Sequence, residues 1–229
     1  GLVFTSSVVG YNVIKYGSMF LKNKTLVSKE IIFITFSSLL IGIWCFFYTH
    51  LLTQVVFILS FILVIFYIIP NPSSKINLRN SNGVKIFLVA FSWTLVSYVS
   101  LTSQMNILEF NQNVILGIQR FIFVLVATIP FEIRDINIDD SELGTLPQRF
   151  GVFKSKLLGI LLLTLNTCLL YFVIEINLIF KIIEFFIYLV LGYALLISST
   201  NKPLSFTRFW VEGIPIIWIF TLLILNQIF

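Results

Sequence analysis

The chain has 229 residues, of which 58% are hydrophobic and only 11% charged, with 25 phenylalanines and a formal net charge of +5. At a mean hydropathy of +1.01 there is too little polar surface to coat a water-soluble globule, which excludes a soluble enzyme or nucleic-acid-binding domain and leaves an integral membrane protein. Apolar runs of roughly 17 to 21 residues, the length a helix needs to cross about 30 Å of hydrocarbon, recur along the sequence. The period-two alternation of barrel strands is missing from it, so the fold class is an all-α, polytopic transmembrane helix bundle forming a single domain over 1–229.

Eight segments are expected in chain order. The first, Leu2 to Lys15, carries Asn12 and Lys15 near its end. Its apolar part is short for a span and lacks a signal-peptide cleavage pattern, and the chain starts at Gly1, from which further sequence upstream is expected. Ile31 to Tyr48 and Leu51 to Ile69 follow, joined by Thr49-His50, where His50 reads as an ordinary interfacial residue. A basic connection with Lys75, Arg79 and Lys85 leads into Val84 to Leu101. The next segment, Asn113 to Phe131, holds Arg120 midway, where an unpaired charge costs at least about 2.5 kcal/mol. Arg120 should therefore face a cavity or pair with an acid such as Glu184 or Glu212. Leu157 to Ile174, Leu178 to Ser198 and Val211 to Ile228 complete the set. Glu184 is close enough to a helix end to be expected to snorkel towards water. Cys45 and Cys168 lie inside apolar runs and read as packing residues, with no disulfide.

The connections alternate sharply in charge. One side carries Lys15, Lys22, Lys24 and Lys29, then Lys75, Arg79 and Lys85, then Arg134, Arg149, Lys154 and Lys156, then Lys202 and Arg208, which is 13 of the 15 cations. The positive-inside rule puts these connections in the cytoplasm and both visible termini outside. They are also the longer connections, where function tends to lie. The net charge is thereby explained by topology, without nucleic acid as a partner.

Four of the ten carboxylates crowd into one of these connections, Arg134-Asp135-Ile136-Asn137-Ile138-Asp139-Asp140 with Glu142, followed by Gly144-Thr145-Leu146-Pro147 and Gly151. If the preceding helix continues one more turn, Asp135 and Asp139 point to the same side. Two carboxylates at the water interface suit Mg²⁺, which takes one or two and fills its other positions with water and substrate phosphate. Arg134 and Arg149, with Lys154 and Lys156, are placed to neutralise a diphosphate. Gly144 and Gly151 allow the backbone to turn, and Pro147 should limit helix continuation between them. A plain solvated charged loop would show the same composition.

The longer string resembles a known family. Arg134-Asp135-Ile136-x-x-Asp139 followed by Gly144-Thr145-Leu146-Pro147-x-Arg149-x-Gly151 resembles the second aspartate motif of the UbiA-type intramembrane prenyltransferases. Tyr67-x-x-Pro70, Leu78-Arg79 and Lys85-Ile86-Phe87-Leu88-Val89-Ala90-x-x-Trp93 are similar to the connection between that family's fourth and fifth helices. Tyr11-Asn12-x-x-Lys15 falls where the first motif would end the second helix. That motif usually reads Asn-Asp-x-x-Asp, but here Val13 and Tyr16 stand at the aspartate positions, and no acid precedes Glu30. A Tyr-x-x-x-Lys pattern is also missing after Tyr67.

The resemblance implies a bundle of nine helices, eight of them seen here, in a multi-pass protein of a bacterial inner membrane with its active-site loops cytoplasmic. It implies transfer of an isoprenoid from a polyprenyl diphosphate to a hydrophobic acceptor, aromatic or lipid, within the bilayer, with Mg²⁺ as cofactor. Carried over by residue, Asp135 and Asp139 hold Mg²⁺, with Asn12 helping to position metal or phosphate. By charge and location alone, Arg134, Arg149, Lys15, Arg79 and Lys85 are expected as diphosphate contacts. The degenerate first motif keeps a second reading open, a homologue that binds lipid or diphosphate, or scaffolds membrane enzymes, without turnover. A transporter would show inverted repeats or several charges within spans, and only Arg120 lies well inside one.

Overall fold

The computed structural model describes residues 1–22, 27–68, 83–99, 110–139, 143–174 and 176–228. Lys24, Pro70, Lys75, Leu78, Arg79, Asp140 and Glu142 therefore lie outside the described residues. Among the described residues no strand occurs, and eight α-helices follow one another. They are α1 (Leu2–Lys22), α2 (Lys29–Phe47), α3 (Leu51–Ile68), α4 (Lys85–Thr94), α5 (Phe110–Asp135), α6 (Leu146–Leu169), α7 (Leu178–Ile197) and α8 (Glu212–Ile228). A π-helical turn, Leu95–Val99, continues α4, a 3-10 turn, Leu170–Phe172, continues α6, and a second π-helical turn, Phe206–Val211, leads into α8.

Five of these helical segments are long and apolar enough to cross a membrane: Lys29–Phe47, Asn111–Asp135, Leu146–Phe172, Leu178–Ile197 and Phe206–Ile224. Leu51–Tyr67 and Lys85–Val99 are shorter apolar helices. Their outward faces are apolar too, with Phe33, Trp44, Phe61, Phe153, Tyr193 and Phe220 all exposed. A surface of this kind is stable only against lipid, and the protein is an integral membrane protein built from α-helices.

Some boundaries differ from expectation. α1 runs on from Lys15 to Lys22. α6 begins at Leu146 instead of Leu157, because Thr145 supplies the N-cap position and Pro147 falls in the first turn, where its missing N–H would have had no partner anyway. Pro147 thus opens a helix instead of limiting one. The break comes at Gly151, whose φ of +79° and ψ of 160° interrupt the helical backbone and suit a residue without a Cβ.

The helices group into two compact units. In the first, α1 and α2 pack antiparallel through small residues: a Cβ on Gly42 would come within 3.0 Å of Thr5 Oγ1, and one on Gly1 within 3.0 Å of Cys45 Sγ. Further along the same pair, Asn12 Nδ2 donates to Thr35 Oγ1 at 2.8 Å. Such small-residue contacts are how helices approach closely where lipid removes any hydrophobic driving force.

The second unit is centred on α5, which packs against α4, α6 and α7. Its core contains Val126, Ile129 and Ile133 from α5 with Ile187, Leu191 and Leu195 from α7. A Cβ on Gly159 of α6 would clash with Leu195 and come within 3.2 Å of Ile129, so those side chains would have to shift. A mutual clasp joins α5 to α6: Gln119 Nε2 donates to the Asn166 carbonyl and Asn166 Nδ2 to the Gln119 carbonyl, each at 3.0 Å.

Beside this clasp Arg120 donates through Nη2 to Glu184 Oε1 on α7 at 2.7 Å. Its guanidinium lies 3.8 Å from the ring centroid of Trp218 on α8, and Tyr188 donates its hydroxyl to Glu184 Oε2 at 3.3 Å. Glu184 is therefore a buried partner of Arg120 and does not snorkel, which corrects the expectation drawn from its place in the helix. Cys168 is exposed and not a core packing residue, while Cys45 is half-buried. Removing one member of an inward-facing ion pair leaves the other charge uncompensated. Arg120→Met should lower the free energy of unfolding by about 3 kcal/mol, and adding Glu184→Met should recover most of it, as read from thermal unfolding in detergent.

Candidate functional site

The end of α5 sets the site. The helix stops at Asp135, and the Asp135 carbonyl accepts the backbone N–H groups of both Ile138 and Asp139 at 2.8 Å. The second of these is a helical i to i+4 bond, so Asp139 sits one turn beyond Asp135 even though the helix proper has ended.

Three side chains close the connection from α5 into α6. Glu132, buried one turn before Asp135, accepts the Leu146 N–H through Oε2 at 3.2 Å. Gln148 accepts the Thr145 N–H through Oε1 at 3.0 Å and donates through Nε2 to the Asp139 carbonyl at 3.1 Å. Two backbone amides at the start of α6 are thus satisfied by side chains. Gly144 (φ +52°) and Gly83 (φ +72°) supply the left-handed conformations this meeting of chains requires. Gly83 donates its N–H to the Leu143 carbonyl at 3.0 Å, which ties the approach to α4 onto the connection. A Cβ on Gly83 would sit 3.3 Å from the Gly144 oxygen and 3.5 Å from Arg149 Cζ.

This tie brings cations onto the carboxylates. Lys85, in the first turn of α4, places Nζ 3.5 Å from Asp139 Oδ2. Arg134 grips its neighbour Asp135 with both prongs of its guanidinium, Nε to Oδ1 at 2.6 Å and Nη2 to Oδ2 at 2.5 Å. Its Nη1 donates to Thr207 Oγ1 in the turn before α8, and Phe131 lies 5.4 Å from its Cζ. Bidentate charge-assisted contacts of this sort are the strong ones.

Of the residues expected from sequence, Lys85, Arg134, Asp135, Asp139 and Arg149 are assembled in the second unit. Asn12 and Lys15 belong to the first, where Asn12 bonds to Thr35 and Lys15 Nζ accompanies the Tyr11 hydroxyl at 3.0 Å, with the Tyr11 and Tyr16 rings just over 5 Å away. Arg79 lies outside the described residues. Glu132, Gln148 and Thr207 were missed. Glu132 had a signal, since it precedes Asp135 by three residues and Asp139 by seven, on one helical face.

Asp135 and Asp139 offer hard oxygen donors still partly open to water, their side chains 26% and 21% exposed. Such a donor set suits Mg²⁺ completed by water and phosphate oxygens. Among the described residues no group of three His, Cys, Asp or Glu side chains forms a protein-only metal cage. No family model matches the chain, and neither a curated protein nor a solved structure does.

The bond from Glu132 to Leu146 gives a direct test of how the site is held. Glu132→Ala should cost about 1 to 2 kcal/mol and leave the buried Leu146 N–H without a partner. Glu132→Gln keeps an acceptor and should cost less. Hydrogen exchange of the peptide covering 143–150 should accelerate in the first variant well beyond the second.

Proposed function

We propose that the protein is a UbiA-type intramembrane prenyltransferase that transfers an isoprenoid from a polyprenyl diphosphate to a hydrophobic acceptor, aromatic or lipid, with Mg²⁺ at the cytoplasmic rim of an inner-membrane bundle. One observation carries the reading: Lys85, far away in sequence, meets Asp139 beside Asp135, Arg134 and Arg149 at the end of an apolar helical unit. Carboxylates for a hard cation and cations for an anion are thereby adjacent where membrane meets water. The motif string from Arg134 to Gly151 supports the same reading.

In this reaction the bond between the allylic carbon and the diphosphate oxygen breaks, and the electron pair leaves on the diphosphate. The acceptor forms the new bond to that carbon and releases a proton to solvent. Bound Mg²⁺ would neutralise charge on the departing diphosphate. Asp135 and Asp139 would hold the metal, and Arg134, Lys85 and Arg149 would contact the diphosphate oxygens. Fixed cations aimed at the leaving group stabilise the charge that develops there. The apolar helices would keep water from the allylic cation.

A specific observation favours a second reading. Val13 and Tyr16 stand where the family has acids, and the Asn12 amide is used on Thr35. On that reading the protein binds diphosphate or lipid without turnover. Incubating the membrane protein with radiolabelled polyprenyl diphosphate, Mg²⁺ and a lipid extract separates the two. The enzyme should yield a Mg²⁺-dependent prenylated product or release diphosphate, with Asp135→Ala and Asp139→Ala each lowering the rate about a hundredfold or more. Retained diphosphate binding with no turnover would identify the non-catalytic homologue.

A further inference from the structure

Both carboxylates proposed to hold the metal are already neutralised by the chain's own cations. Arg134 engages both oxygens of Asp135, so a metal ion approaching them meets the guanidinium's charge and competes with it. Lys85 stands on Oδ2 of Asp139. Other polar and charged groups face the array: Glu132, engaged by the Leu146 N–H, Glu212 at the start of α8, Arg149 beside Gly83, and Thr207, which holds a third nitrogen of Arg134. Thr207 provides an anchor that keeps the Arg134 guanidinium at the rim when Asp135 is released.

Within each ion pair the charges cancel. A divalent cation arriving alone would add two positive charges to this balanced array, and a diphosphate alone would add only negative charge. Arriving together they bring little net charge, and each supplies the counter-ion that the other displaces.

We propose that Arg134 and Lys85 are resident counter-ions that exchange partners on substrate arrival. Without diphosphate they compete with divalent metal for Asp135 and Asp139. With diphosphate they turn to its oxygens and leave both carboxylates to the metal. Metal and diphosphate then strengthen each other's binding to the protein, and by linkage the effect is reciprocal. This rests on the rim being a metal and diphosphate site, and goes beyond it by giving the same two residues a role in the empty protein.

The test uses the full chain in detergent, with Mn²⁺ standing in for Mg²⁺ because the spin-resonance signal of the free aqua ion reports how much is unbound. In the absence of any diphosphate, Lys85→Gln and Arg134→Gln should each bind Mn²⁺ about three- to tenfold more tightly than the unaltered protein. Lys202→Gln, which removes an exposed cation not paired with these carboxylates, should not. In metal-free buffer the first two variants should bind radiolabelled pyrophosphate more weakly. Arg134→Lys, which keeps the charge but loses the fork, should fall between, and thermal unfolding of each variant checks that it is folded. If Lys85→Gln and Arg134→Gln leave Mn²⁺ affinity unchanged, or raise it no more than Lys202→Gln, while Asp135→Asn and Asp139→Asn abolish binding, the exchange is overturned and the metal site stands. If Mn²⁺ binds to no form of the protein, with or without pyrophosphate, or binds without regard to the two aspartates, the exchange and the reading beneath it both fall.

Discussion

Hydrocarbon offers no hydrogen-bond partner, so a polar atom carried into the membrane-spanning helices of this chain is costly unless the protein itself satisfies it. Hydroxyls do so locally. Thr35, Ser60, Thr94, Thr164 and Thr221 each donate to the carbonyl four residues earlier on their own helix. Larger groups need a second helix, and their demands set much of the architecture. Arg120 draws Glu184 inward and lays its plane against Trp218, while Gln119 and Asn166 clasp each other's backbones. Polar contacts between helices thereby specify which faces meet, since van der Waals packing alone discriminates poorly among apolar surfaces.

At the rim the same requirement is met with charge. Water is near, yet Glu132 is buried, and its carboxylate is spent on a backbone amide at the start of α6. The site is thus held by groups that do not themselves contact the proposed ligands. Asp135 and Asp139 are left as the partly exposed pair, each with a cation of its own. What makes the region suited to an anion and a metal together is that positive and negative groups are both present, and neither sign dominates.

Much of the helical framework could be read from the sequence, because an apolar run long enough to cross a bilayer has few alternatives to a helix. The Asp135–Asp139 spacing was equally visible, since α5 does extend to Asp135. Ends were less legible. Pro147 looked like a barrier until its position next to the Thr145 cap made it a helix opener, a distinction that depends on where the helix starts and not on the residue. Glu184 looked free to reach water because its place along the helix is near an end. Arg120 in mid-span called for an acid such as Glu184 or Glu212, and tertiary packing selects Glu184. Glu132 is flanked by Phe131 and Ile133, although its spacing from Asp135 and Asp139 places it on their face. Lys85 reaches Asp139, and Thr207 reaches Arg134, only in the folded chain.

The interruption at Gly151 has a geometric consequence. α5 and α6 run antiparallel, with Gln119 opposite Asn166 and Val126 opposite Gly159. A straight α6 continued at that register would bring Leu146 opposite Asp139, about 10 Å beyond Glu132 along the axis at 1.5 Å per residue. The Leu146 amide is nevertheless on the Glu132 carboxylate. The turn from Leu146 to Phe150 must therefore bend back across the ends of the helices instead of rising along them. The Leu146 amide and Arg149 are thereby carried back towards Glu132 and Gly83, and the left-handed Gly151 is the residue at which the backbone permits that course.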